Sequence, residues 1–217
     1  MNTLEDQLNL LTGGTFTSSQ YDDWVAHASR QVVDLLKMDD LAKFSTTVTI
    51  PITTGLAISG YRIHKAIVGG YDCIEYPAGM ETQIADSGSL HKASAFTPGY
   101  IVNGGYIKTY NGSGNVQGTL LGVAYPAPDT SAATTITGVP ENLVQAILLQ
   151  TAIYAKTSQW KTAMAIVTTY NDTDQDIELA QSKKQEADAL LNSIQLLQAQ
   201  YESIIKLYLG VQQKEGV

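Results

Sequence analysis

Three histidines, His27, His64 and His91, are the first residues to test for metal chemistry. None has a second ligand-type side chain two to five positions further on, the spacing that puts two ligands on one metal. His27 falls on a helical pattern and is expected to face solvent or an interface. The patterns His-Glu-x-x-His and Gly-x-Ser-x-Gly are absent. The glycine-rich stretch Gly112-Ser113-Gly114-Asn115-Val116-Gln117-Gly118 departs from dinucleotide spacing, lacks a Lys-Ser/Thr ending and leads into a strand pattern, so it reads as a hairpin tip. Asp172-x-Asp174-x-Asp176-x-Glu178 resembles the opening of a calcium loop. Ile177 stands where that loop needs glycine and Lys183 where it needs glutamate, and acids opening a helix are expected from dipole complementarity alone. Glu75, Glu81 and Asp86 are the carboxylates that glycosidase-type acid–base work would use, in a turn-rich stretch. Cys73 is the only cysteine, and one thiol forms neither an internal disulfide nor a metal site; it reads as a small buried hydrophobe. No metal, no cofactor and no catalytic residue is expected.

The elements that position these residues follow from pattern. Of 217 residues, 44% are hydrophobic and 16% charged, which allows a sizeable core under a weakly charged surface. The net charge is −8 and the densest basic cluster is Lys183-Lys184, so no basic stripe that grips nucleic-acid phosphates is present. The N-terminus lacks the positive charge of a secretory signal. The apolar run Leu143 to Ala155 is interrupted by Gln145, Gln150 and Thr151 and is too short to span a bilayer, so a soluble chain is expected.

The spacing predicts an α+β chain: an N-terminal helical segment over 1–43, a central antiparallel β sandwich or barrel-like domain over 44–138, a long C-terminal antiparallel helical hairpin over 139–210 packing with the N-terminal helix, and a flexible tail over 211–217. A short helix from Leu4 to Leu11 ends at Gly13-Gly14. The next begins at Ser19, where Ser19-x-x-Asp22 has capping-box form, and buries Tyr21, Trp24, Val25, Ala28, Val32, Leu35 and Leu36 on one stripe. Strand patterns cover Thr46–Ile50, Tyr61–Val68 and Thr119–Tyr125, and Asn103-Gly104 marks a hairpin between Tyr100-Ile101-Val102 and Tyr106–Tyr110. Pro140-Glu141 opens a helix that runs to about Tyr170 with one apolar face. After a turn at Asn171–Asp174, a second long helix runs from Gln175 to Leu209, about 50 Å at 1.5 Å per residue. So long a hairpin exceeds a small β domain, and its remainder is expected to meet another subunit. The interface candidates are Trp160, Tyr201, Ile205, Tyr208 and Leu209.

Several stretches together resemble the head-to-tail adaptor proteins of tailed phages, the tail tubular protein A-like neck proteins. A strand pair around a glycine turn (Tyr100-Ile101-Val102-Asn103-Gly104-Gly105-Tyr106-Ile107) leads to a strand with a proline-rich end (Val123-Ala124-Tyr125-Pro126-Ala127-Pro128-Asp129). A linker then ends in a proline-acid helix start (Thr135-Ile136-Thr137-Gly138-Val139-Pro140-Glu141-Asn142-Leu143-Val144-Gln145-Ala146-Ile147), and Gln- and Ala-rich helices follow. The resemblance implies a virion protein, assembled in the host cytoplasm into a homo-oligomeric ring, usually a dodecamer, between the portal protein and the tail nozzle or tube, with helices lining a passage through which DNA moves without sequence-specific contact. The last helix and the β section are both longer than a minimal adaptor needs. That leaves open another neck, tail or decoration role. Two other classes stand beside it. Seven of the twelve tyrosines lie between Tyr61 and Tyr125, which would suit a ligand- or glycan-binding β module on a helical stalk; a hydrolase built on Glu75, Glu81 and Asp86 has no motif behind it.

Overall fold

In the computed structural model the structure describes residues 2–14, 16–86, 88–169 and 174–211, with backbone alone at 174–176 and 210–211. The chain is α+β and divides into two compact units, one formed by Met1–Val32 with Pro126–Val217, the other by Val33–Tyr125. The boundaries therefore fall at 32/33 and 125/126 rather than at 43/44 and 138/139.

The helical unit begins with α1 (Leu4–Thr12). Thr3 and Asp6 close a reciprocal capping box, and Gly13 ends the helix at φ 66°, a left-handed conformation that suits glycine. The helix α2 (Ser18–Val33) starts one turn-position earlier than the Ser19 pattern indicates. Its box is Thr17-x-x-Gln20: the Gln20 N–H donates to Thr17 Oγ1 at 3.4 Å and the Thr17 N–H to Gln20 Oε1 at 3.0 Å. Asp22 is not a cap. It accepts from the backbone N–H and the hydroxyl of Thr130, at 2.8 and 2.7 Å, and so ties the segment after Pro126 to α2. Tyr21, Val25, Ala28 and Val32 are buried as their spacing predicts, whereas Leu35 lies beyond the helix and is exposed.

Two long helices follow, α5 (Glu141–Thr169) and α6 (Asp174–Val211), numbered after two helices of the β unit. From Leu143 to Lys156, α5 is buried nearly all round rather than along one face. A helix apolar on all sides belongs inside a bundle, and α5 packs against both α1 and α6. Its two buried polar residues in this stretch are satisfied internally: Thr151 Oγ1 donates to the Ile147 carbonyl at 2.8 Å, and Lys156 Nζ donates to the Thr12 carbonyl at 2.8 Å, placing a cation at the negative end of α1. Burial holds the Lys156 amine below the ordinary lysine range. Along α6, Ala180, Ala187, Ile194, Tyr201 and Tyr208 recur every seven residues on the covered side, and Leu190, Leu197 and Ile204 accompany them three positions on. This is the heptad seam of two antiparallel helices. Leu149, Ala152 and Ile153 of α5 meet Ile194 and Leu197 of α6 at its centre.

The β unit opens with α3 (Met38–Phe44), which packs against two strands of this unit, β3 (Tyr61–Val68) and β9 (Gly118–Ala124), and so does not extend the N-terminal helical segment. One sheet has the order β1 (Thr46–Ile50), β9, β3, β4 (Tyr71–Asp72), all antiparallel. The other has the order β2 (Leu56–Ala57), β7 (Tyr106–Asn111), β6 (Gly99–Asn103), β5 (Ile74–Tyr76), with β8 (Gly114–Val116) also on β7. The sandwich expectation holds except that β5 and β6 run parallel, so this sheet is mixed. Ile50, Ala66 and Leu120 of the first sheet meet Ile107 of the second in a common core. The second sheet is buried on its other face too, where Ile101 and Tyr110 pack with Ile84 and Ala93. Ile84 comes from α4 (Glu81–Ala85), a short helix in the stretch that reads as turns in the sequence. The β6–β7 hairpin turns on Gly104 and Gly105, at φ 59° and 81°, while Asn103 pairs with Tyr106 as the last strand residue.

Candidate functional site

The C-terminal hairpin carries every interface candidate, and folding treats them unequally. Trp160 and Tyr201 are partly buried against the α5–α6 core, as is Ile204. Ile205 is half-buried, and Tyr208 is buried within the chain, so most of its surface is already used. Leu209 remains exposed. Leu179, Leu196 and Leu207 of α6, which fall outside the apolar stripe, are also exposed, Leu196 and Leu207 at 67% each; Ile177 and Leu191 are exposed too, although their spacing places them on that stripe. The tail beyond 211 and the acidic turn at 172–176 lie outside the described residues or their side chains.

A cleft of about 590 Å³ opens between α2 and α5. Asp23, Trp24 and His27 line it from α2, and Tyr154, Thr157, Ser158 and Lys161 from α5. Asp23 and His27 are i, i+4 on one helix, with Trp24 beside them, and the α5 residues are i, i+3, i+4, i+7, spacings that share a helix face. The His27 and Tyr154 rings lie 5.5 Å apart, and His27 is exposed as expected.

The three carboxylates that acid–base work would use are separately engaged. Glu75 accepts from the Tyr100 hydroxyl at 2.9 Å, Asp86 from the Gly88 N–H at 2.9 Å, and Glu81 from both the Tyr110 hydroxyl at 2.6 Å and Lys108 Nζ at 3.0 Å. Burial and the neighbouring carboxylates push the Tyr100 and Tyr110 hydroxyls well above the ordinary tyrosine range. The Tyr110 hydrogen bond, then the one from Lys108, hold the Glu81 carboxyl below the ordinary glutamate range. These are structural pairs: Glu81 fastens the start of α4 to β7. The linkage has a definite sign. On acidification the unfolded chain takes up a proton at Glu81 before the folded one does, so the contribution is present above the unfolded glutamate pKa and disappears as pH falls through the lower folded value. Urea midpoints followed from neutral pH down through that window should fall more steeply for the native chain than for Glu81→Gln; parallel profiles would remove Glu81 from the acid response.

Cys73 is half-buried beside the sandwich core, and burial, with the Asp72 charge second, pushes its thiol up to about 11, away from reactive thiolate chemistry. The Gly112–Gly118 stretch forms the β7–β8 turn and β8 itself rather than a phosphate loop before a helix. Among the described residues no group of three His, Cys, Asp or Glu side chains is placed to hold a metal ion, and no helix is long and apolar enough to cross a membrane. Compared with known proteins, the chain matches no family model and no curated protein.

Proposed function

We propose that the chain is a structural subunit of a tailed-phage virion, a head-to-tail adaptor of the neck that assembles into a ring between portal and tail and leaves a passage for DNA. The observation that carries this reading is the contrast within the hairpin. Over Leu143–Lys156 most of α5 is covered, whereas α6 extends 38 residues, about 57 Å at 1.5 Å per residue, and leaves Leu179, Leu191, Leu196 and Leu207 exposed. Leu196 and Leu207 lie on the same side of the helix, and under this reading a neighbouring subunit covers that side. The acidic balance, 21 Asp and Glu against 13 Lys and Arg, suits a wall that DNA slides past rather than one that holds phosphates.

Native mass of the purified chain, alone and mixed with the cognate portal ring, tests the reading. A defined multi-copy increment on the portal is expected. The paired change Leu196→Glu and Leu207→Glu should abolish the increment while the far-ultraviolet circular dichroism stays native. A chain that adds nothing to the portal would overturn the adaptor assignment, and assembly untouched by both glutamates would overturn the role of α6.

A further inference from the structure

The cleft between α2 and α5 holds chemistry that folding does not use. The Asp23 carboxylate, the His27 imidazole and the Lys161 ammonium have no hydrogen-bond or ion-pair partner among the described residues. The aromatic walls, in contrast, are fixed. Trp24 packs edge-to-face on Phe16 with centroids 5.1 Å apart and on Tyr21 at 6.0 Å. Tyr154 is held by its hydroxyl, which donates to Gln31 Oε1 at 2.7 Å, and by its contact with His27. Rigid aromatic faces beside unspent charges form a site that is organised before anything enters it, so little ordering cost remains to be met on binding.

We propose that this cleft receives an arginine side chain of a partner protein, with the guanidinium on Asp23 and against Trp24 or Tyr154, and an acidic residue of the same partner on Lys161. The guanidinium is the side-chain group that is at once planar, always charged and shaped to donate two parallel N–H bonds to a carboxylate, and it stacks on aromatic faces as a compact ammonium does not. Asp23 and Lys161 do not pair with each other across the cleft, so both remain available to an occupant that carries both signs. Tryptophan, tyrosine and arginine are also the residues that dominate binding energy at protein interfaces.

A second copy of this chain is a poor donor. It has two arginines, Arg30 and Arg62, and both are engaged: Arg62 donates from Nη1 to the Val33 carbonyl, and Arg30 has an interaction of its own. The arginine therefore comes from a different protein, and the net charge of −8 favours approach of a basic one. The inference stands apart from the virion reading, since it uses α2 and α5 rather than the exposed face of α6.

The test uses the full chain labelled with nitrogen-15. Its two tryptophans give two indole N–H signals, one in the cleft and one, from Trp160, against the hairpin core as an internal control. Titration with the blocked dipeptide acetyl-Arg-Glu-amide should move the Trp24 signal saturably and leave that of Trp160 in place. The same dipeptide with citrulline, the neutral isostere of arginine, should not bind. Asp23→Asn, an exposed substitution, should weaken binding by at least about tenfold, and Lys161→Met should weaken the dipeptide more than it weakens acetyl-Arg-amide. Equal binding of the citrulline peptide, or indifference to Asp23→Asn in a chain of native circular dichroism, would overturn the guanidinium assignment. Free arginine binding as tightly as the dipeptide would overturn the partner protein in favour of a small molecule.

Discussion

Ile147→Ala should destabilise the helical unit by about 2–5 kcal/mol, the range for removing a large aliphatic side chain from a packed core. Ile147 is fully buried on a helix that is covered on nearly all sides, so neighbouring side chains have little freedom to close over the cavity. Both tryptophans, Trp24 and Trp160, belong to this unit, and intrinsic fluorescence in urea reports its unfolding. The midpoint should drop with an unchanged slope. Leu207→Ala removes a similar side chain from the exposed side of α6 and should change stability by no more than about 0.5 kcal/mol. Under the ring reading it should instead weaken assembly. The pair of variants separates what holds the fold from what the hairpin offers to a neighbour. If Ile147→Ala and Leu207→Ala unfolded at the same urea concentration, the burial contrast between α5 and α6 would be wrong.

Gly55→Ala should be the most damaging small substitution in the β unit. Gly55 has φ 68°, a left-handed conformation that costs a residue with a Cβ roughly 1–2 kcal/mol. A Cβ there would also lie 2.6 Å from the Ile107 carbonyl oxygen and 3.0 Å from Lys108 Cγ. Because the obstacle is the backbone of β7, a central strand, relief requires a strand to shift, a further cost of about 1–3 kcal/mol. Gly60→Ala is the control: nothing lies within 4 Å of a Cβ at that position and its φ is not left-handed, so stability should stay within about 0.5 kcal/mol of the native chain. Near-ultraviolet circular dichroism, dominated in this unit by tyrosine, follows the transition. Equal midpoints for the two alanine variants would show that the β2–β7 approach is looser than the geometry requires.

How far the sequence determined this protein differs from element to element. Thr46–Ile50 and Tyr61–Val68 are strands at the residues where alternation placed them, and α1 ends at the glycine that its pattern named. Local sterics and period suffice for these. The capping box of α2 shows where local reading stops. Ser19 and Asp22 have the right types, yet Asp22 is recruited by Thr130, 108 residues away, and the cap passes to Thr17 and Gln20. The parallel pairing of β5 with β6 had no local signal, because three residues of strand do not encode the direction of their neighbour. The α4 stretch reads as turns, since five helical residues lie below the length at which helical period is visible; packing of Ile84 on the second sheet stabilises them.

The helical hairpin was legible because heptad spacing survives over four turns and more of α6, and the sequence by itself set its partner side. Which face of α5 would be covered was a tertiary matter. An apolar run punctuated by Gln145, Gln150 and Thr151 fits one-sided or complete burial, and only the presence of α1 and α6 around it decided between them. The cleft depends on the same step. Asp23 and His27 on one helix, and Tyr154, Ser158 and Lys161 on another, are visible as same-face residues from spacing alone. That the two faces meet rests on packing between segments some 120 residues apart, as the Gln31–Tyr154 hydrogen bond records with a separation of 123. Periodicity specifies which side of an element seeks cover; it carries no information about which other element provides it, because burial is satisfied by any apolar surface of the right shape, and only the assembled chain selects one.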